Sequence, residues 1–153
     1  MKPCVPRLLH VTALPIPGVV SQLLTVRLLA PGRPRDLEAD FWYDVAEPYA
    51  VRVIFHDDDI AAQPELARSS LARGVLEPVG GGRVSMWPSL TVDGRAVVVM
   101  SVTGLGGDLV CEITTDQIHR FLTRTYTLVP VGTESDYIDL DAVVERLLTS
   151  DAQ

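Results

Sequence analysis

The chain has 153 residues, a size that folds as one domain and buries a core without disulfide or metal support. Its 47% hydrophobic and 22% charged residues are those of an ordinary globular protein, and no apolar run approaches the roughly 20 residues that span a bilayer. The net charge of −7 disfavours a nucleic-acid binder, because neutralising phosphates requires a positive surface.

Residues 1–20 read as an irregular arm, interrupted by Pro3, Pro6, Pro15 and Pro17, with the single domain expected over residues 21–150. No small-residue cleavage pattern follows the arm, so it does not read as a signal peptide, and a cytoplasmic location without membrane insertion is expected. Ser21–Leu29 alternates Leu24, Val26 and Leu28 against Thr25 and Arg27, the period of a half-buried strand. Ala30–Asp40, with Pro31, Gly32 and Pro34, reads as a loop. Pro48 locks a polar corner after Tyr43-Asp44, and Tyr49–His56 follows as a strand with Val51, Val53 and Phe55 on one face. Ile54, on the other face, predicts partial cover there too.

Pro64 followed by Glu65–Arg73 and Gly74 reads as a short helix, proline in its first turn and glycine at its end. Gly80–Gly82 is a turn. Arg83–Val92 and Arg95–Thr103 flank Asp93-Gly94, which predicts a hairpin with a type I′ turn. Pro88 cannot donate to a ladder, so the first of these strands is an edge or is bulged. Val97-Val98-Val99 with Met100 and Val102 reads as a strand covered on both faces. Leu105-Gly106-Gly107 turns the chain into a further strand at Asp108–Ile113.

Thr114 with Gln117 forms a capping box opening a helix, in which Ile118, Phe121 and Leu122 make a narrow apolar stripe. Val129–Thr133 is an extended connector. Asp139 caps a last helix with Leu140, Val143, Val144, Leu147 and Leu148 on one face, a pattern that predicts docking on the sheet. The whole is an α+β fold, a mainly antiparallel β-sheet with C-terminal helices at one side.

Little in this pattern is catalytic. His56-Asp57-Asp58-Asp59 would suit a divalent cation or acid–base chemistry, but successive strand residues point to opposite faces, and a solvated loop is the plainer reading. The histidines lie far apart, and Cys4 and Cys111 have no zinc-like spacing with them or with each other. Two reduced thiols, no metal and no cofactor are expected. The glycine clusters lack the Gly-Lys-Ser/Thr of a phosphate loop, and there is no Gly-x-Ser-x-Gly elbow. The partner-binding candidates are Trp42 and Trp87, which suit core or subunit packing better than base stacking, and the helix arginines Arg68, Arg73, Arg120 and Arg124, a possible anion or partner patch.

Several segments, taken in order, resemble the SsgA-like proteins, the sporulation-specific cell division family of actinomycete bacteria. Tyr43-Asp44, then Glu47-Pro48-Tyr49-Ala50-Val51 to Phe55-His56, is similar to the central signature of that family. Ala67-Arg68 through Leu71 to Gly74 resembles its Ala-Arg-x-Leu-Leu helix, and Val84-Ser85-Met86-Trp87-Pro88-Ser89 its Val-x-Val-Trp-Pro-Ser strand. Phe121–Thr125, Val129–Glu134 and Asp139-Leu140-Asp141 resemble its C-terminal block. Ser69-Ser70 departs from the usual Asp-Leu. The resemblance implies a non-enzymatic role in positioning the septum, cytoplasmic protein recruited to the division site, and partners such as the tubulin-like FtsZ. It also implies a Whirly-like fold and a bell-shaped homotrimer. The Whirly likeness leaves single-stranded nucleic-acid binding as the alternative function.

Overall fold

A computed structural model describes residues 16–104 and 107–150 of the chain. Among these residues the strands are β1 (Val19–Ala30), β2 (Arg35–Asp44), β3 (Ala50–Phe55), β4 (Glu65–Ala67), β5 (Val84–Leu90), β6 (Ala96–Val102) and β7 (Leu109–Thr114). They form one antiparallel sheet of seven strands in the order β4-β3-β2-β1-β7-β6-β5. Helix α1 (Arg68–Gly74) touches both outermost strands, β4 and β5, so the sheet curls. Helix α2 (Thr115–Leu128) lies inside the curl against β1, β6 and β7. A 3-10 turn at Glu134–Tyr137 leads to helix α3 (Leu140–Ser150). The α+β class expected from the sequence is the observed one.

Alternation dictates the two faces of the sheet. Leu24, Val26 and Leu28 of β1 face inward with Leu37, Ala39, Phe41 and Tyr43 of β2 and with Val51, Val53 and Phe55 of β3. Ile118, Phe121 and Leu122 of α2 close this core, the Phe121 ring meeting Phe41 edge-to-face with centroids 5.5 Å apart. Strand β6 is buried on both faces through Val97, Val98, Val99 and Met100, as its unbroken apolar run predicts.

Several expectations are corrected. Ala30–Asp40 is not a loop throughout: β2 begins at Arg35 and pairs with β1 over its whole length. Asp36, Glu38 and Asp40 point outward between the buried Leu37, Ala39 and Phe41, so the charged residues concealed a regular alternation. At the other end, β1 begins at Val19, two residues before the expected strand start at Ser21. Glu65–Ala67 is a strand rather than a helical turn, because it pairs with Ala50–Arg52, and the helix starts only at Arg68. The Asp93-Gly94 turn is not type I′, since only Gly94 has positive φ (82°). Gly94 N–H donates to Thr91 C=O and Thr91 N–H to Arg95 C=O, the pattern of a type I turn followed by a left-handed glycine. Val129–Thr133 is not extended either. Thr133 N–H donates to Pro130 C=O, and Gly132 turns at φ 88°.

Strand β5 is an edge, as Pro88 requires. Met86 exchanges both backbone hydrogen bonds with Val79, outside the sheet. Residues of the same parity therefore point away from β6, and Pro88 is one of them. Its missing N–H falls on the free side and costs no ladder bond.

The largest departure is α3. Asp139 caps it as expected, its Oδ1 accepting from Ala142 N–H at 3.1 Å. Its apolar face does not dock on the sheet. None of its residues is buried, and none belongs to the core or packs against it. The concave face is occupied by α2, which packs there against β1, β6 and β7.

Candidate functional site

The sequence candidates fall into two groups, one inside the molecule and one on its surface. Arg68 heads α1 but only 2% of it is exposed. Its guanidinium lies between two aromatic rings, 4.9 Å from the centroid of Tyr43 and 5.1 Å from that of Tyr126. Nη1 donates to the carbonyls of Thr125 (3.3 Å) and Val129 (2.7 Å) at the end of α2, where Thr125 C=O also accepts the Val129 N–H. Nη2 pairs with Glu134 Oε1 at 2.7 Å. The Arg68 guanidinium, aided by backbone N–H groups including that of Gly132, holds the Glu134 carboxyl below the usual carboxylate range.

Tyr43 completes this arrangement. Its hydroxyl donates to Pro48 C=O at 2.9 Å and ties the corner between β2 and β3. Burial raises its phenol above the ordinary value, the neighbouring Arg68 charge acting the other way. Tyr43, Pro48, Arg68, Tyr126 and Glu134 thus join four distant segments at one end of the sheet. Planar donors and a permanent charge suit this crowded place better than the point charge of lysine. With these donors engaged, Arg68 is withdrawn from any surface anion patch; its role is to terminate α2 and anchor the chain beyond it.

Arg124 is also engaged. It donates to Ser21 C=O at 3.1 Å and to Gln22 Oε1 at 3.2 Å. Gln117 does the same work more fully. Its Oε1 accepts from Thr25 N–H and its Nε2 donates to Thr25 C=O, both at 3.0 Å. Strand β7 pairs with β1 only at Arg27, Leu28 and Ala30, so this amide stands in for a missing strand residue. The Thr114 hydroxyl accepts from Gln117 N–H as the capping box predicts, but the glutamine side chain reaches across to β1. No linear pattern signals that use.

The remaining candidates are at the surface. Arg73 of α1 pairs with Glu77, three residues beyond the helix end, and Arg120 is exposed on α2. Trp42 and Trp87 both face the outer side of the sheet, on β2 and β5, with β1, β7 and β6 between them. They do not form a single stacking platform. His56 Nε2 lies 2.7 Å from Asp40 Oδ2, and Asp57 pairs with Arg35. Cys111 is buried and free, its thiol pushed up to about 12 by burial and then by Glu112; Cys4 and His10 lie outside the described residues, as do Leu105 and Gly106.

A groove of about 790 Å³ between β1 and the β5–β6 hairpin is lined by Thr25, Arg27, Leu90, Val92 and Glu112, and no nucleophile is set beside a base there. Some of the exposed apolar side chains gather on α3, at Leu140, Val144, Leu147 and Leu148, with Tyr137 just before it, while others such as Leu76, Leu90 and Val92 lie elsewhere. No helix among the described residues is long and apolar enough to cross a membrane.

Comparison with known proteins places this architecture. Residues 37–134 match the family described as Streptomyces sporulation and cell division protein, SsgA. The sporulation-specific cell division protein SsgB of Frankia casuarinae is 38% identical over 131 residues, covering 84% of this chain and 91% of that one. SsgB of Salinispora tropica is 35% identical over 136 residues, covering 86% and 94%. Among solved structures, the SsgA-like sporulation-specific cell division protein of Thermobifida fusca superposes with a TM-score of 0.72 at 34% identity, covering 84% of this chain and 94% of that one. A structure described with SsgB mutations that correlate to longitudinal cell division during sporulation of Streptomyces coelicolor gives 0.70 at 34% identity, covering 78% and 94%.

Proposed function

The chain belongs to the SsgA-like family of sporulation and cell division proteins, and from that membership we propose that it is a non-enzymatic assembly factor that helps position the division septum. It acts by binding division proteins such as FtsZ, as a cytoplasmic protein recruited to the septum. The observation that carries the reading is the match over residues 37–134, which holds the whole Tyr43–Arg68–Glu134 arrangement. That arrangement spends its charges on structure, which leaves surface contact as the working principle. A homotrimer with Whirly-like subunits fits the same reading, and sedimentation equilibrium measures it.

Co-sedimentation with FtsZ polymers is the direct test. Enrichment of the chain in the polymer pellet, or altered polymer yield, is the expected result; no effect on either overturns the reading. The alternative, single-stranded nucleic-acid binding, draws no support from the separated tryptophans or from the net charge of −7. A salt titration with a labelled oligonucleotide is expected to give no useful affinity, whereas tight binding that weakens steeply with salt would favour the alternative.

A further inference from the structure

The outer face of the sheet carries an apolar row that stands apart from the core. Leu23 of β1 lies opposite Asp40 of β2, and Asp40 opposite Ile54 of β3, while Trp42 is the next residue of β2 on the same side. Trp42 is thus a diagonal neighbour of both Leu23 and Ile54, a separation that an aromatic ring bridges. None of the three belongs to the core or packs against it. A small cavity of about 150 Å³ opens beside Trp42, walled by Asp44, Glu47, Ala50, Arg52 and Glu65 among others. Carboxylates frame the row: Glu38, Asp40 and Asp44 alternate outward with Trp42 along β2, and Glu47 follows at the corner. Arg52 is taken up by Glu65 at 3.3 Å. Among the described residues no ion pair engages Glu38, Asp44 or Glu47.

The chain enters the domain at the edge of this face. Val19 N–H donates to Ile16 C=O, Val45 N–H donates to Gly18 C=O, and Val19 lies opposite Asp44. Residues 1–15, which lie outside the described residues, are therefore attached beside the cavity. Their charged side chains are Lys2 and Arg7, with no acid among them, in a chain of net charge −7. Leu8, Leu9 and Val11 follow Arg7, so a basic and apolar segment is tethered next to an acidic and apolar face. The length suffices. From Arg7 to Ile16 an extended chain reaches up to about 30 Å, against about 20 Å from Glu38 to Asp44 along β2 and about 10 Å across three strands. A short tether also gives the segment a millimolar effective concentration at this face, which a basic segment of another protein would have to match. A guanidinium over the indole of Trp42 gains a cation–π contact beside the carboxylates. We propose that residues 1–15 fold back over the outer face of β1, β2 and β3 as an intramolecular strap. Leu8, Leu9 and Val11 cover the Leu23–Trp42–Ile54 row, and Lys2 and Arg7 pair among Glu38, Asp44 and Glu47. A partner that uses Trp42 must first displace the strap.

The test uses the full chain carrying Trp87→Phe, which leaves Trp42 as the sole indole, and reads its exposure by acrylamide quenching of fluorescence. Two variants alter the arm: Leu8→Ser with Leu9→Ser, and Lys2→Glu with Arg7→Glu. A third, Glu38→Lys with Glu47→Lys, alters the face at residues outside the core. Each is expected to raise the quenching constant of Trp42 about twofold, and added salt should do the same to the unsubstituted arm, because exposed ion pairs are screened. Combining the two charge reversals should restore the protection. Equal quenching in all of these chains overturns the inference, and so does exposure that persists when the reversals are combined. If an arm variant lowers the sedimentation-equilibrium mass, the arm bridges copies instead of folding back, and the inference is likewise overturned. None of these outcomes bears on the assembly-factor reading, which co-sedimentation tests separately.

Discussion

The guanidinium of Arg68 donates to the carbonyl of Val129 at 2.7 Å, across 61 residues of sequence. This bond does for α2 what a C-terminal glycine or a bound water does for other helices: it satisfies a carbonyl that has no partner within the helix. It also fixes where the C-terminal segment starts. Replacing Arg68 by alanine takes the side-chain donor from the Val129 carbonyl and from Glu134 Oε1 together, while Thr125 C=O keeps the Val129 N–H. A loss of about 3–5 kcal/mol is expected, the range for removing one partner of a buried ion pair. Arg68→Lys should recover only part of it, since an ammonium does not reproduce the planar fork between two rings. Chemical denaturation followed by intrinsic fluorescence measures both.

Tyr43→Phe removes a single oxygen and leaves Pro48 C=O without its buried donor. The expected cost is about 1–3 kcal/mol, that of an unmade buried hydrogen bond. The ring and its contact with Arg68 remain, so the variant should still fold cooperatively. An equilibrium midpoint within error of wild type would show that water replaces the hydroxyl.

Stability at acid pH should follow Glu134. Its carboxyl pKa is lower in the folded than in the unfolded chain, first because Arg68 donates to it. The pairing therefore contributes in full above the unfolded value of about 4.3 and is lost as pH falls through the depressed folded value. Urea titrations at a series of pH values from neutral downward should show stability declining on that acid limb, with a smaller decline in Glu134→Gln. An unchanged slope in the variant would locate the acid sensitivity elsewhere.

Cys111 sets the opposite limb. Its thiol is raised to about 12 in the fold, so its contribution is complete below the unfolded value of about 8.5 and is lost as pH rises towards the folded one. In a Cys4→Ser background, Ellman's reagent at pH 8 should leave Cys111 unreacted until denaturant is added. Rapid reaction of the native protein would refute the burial of this thiol.

Gln117→Ala removes both bonds to the Thr25 backbone. The site is near solvent, so a loss of about 1–2 kcal/mol is expected. Hydrogen exchange at Thr25 N–H should accelerate more than at Val26, a local effect that global destabilisation does not produce. Gln117→Glu, which keeps an acceptor and loses the donor, should fall between the two.

Much of the sheet is legible in the sequence because inward and outward residues alternate, as Val51, Val53 and Phe55 do around Arg52 and Ile54. Strand β2 hides because Asp36, Glu38 and Asp40 supply outward charge beside a Pro-Gly-Arg-Pro loop, and the breakers dominate the pattern. The Arg68 arrangement hides for a different reason. Its partners lie 57, 61 and 66 residues away, and period reports only which face a residue takes, not what it meets. For α3 the pattern gives the apolar stripe correctly and the neighbour wrongly, since amphipathicity is the same whether the cover comes from the same chain or from another.

The proline of β5 has one further consequence. An open sheet invites copies of itself to add at its rims, and that route leads to fibres. Here one rim offers Pro88 where an incoming strand would need a donor, next to Met86, already occupied by Val79. The other rim, β4, is three residues long and carries Glu65. Both ends of the sheet are closed to templated growth, so the molecule can accumulate without polymerising through its backbone, and whatever it gathers with must recognise its side chains.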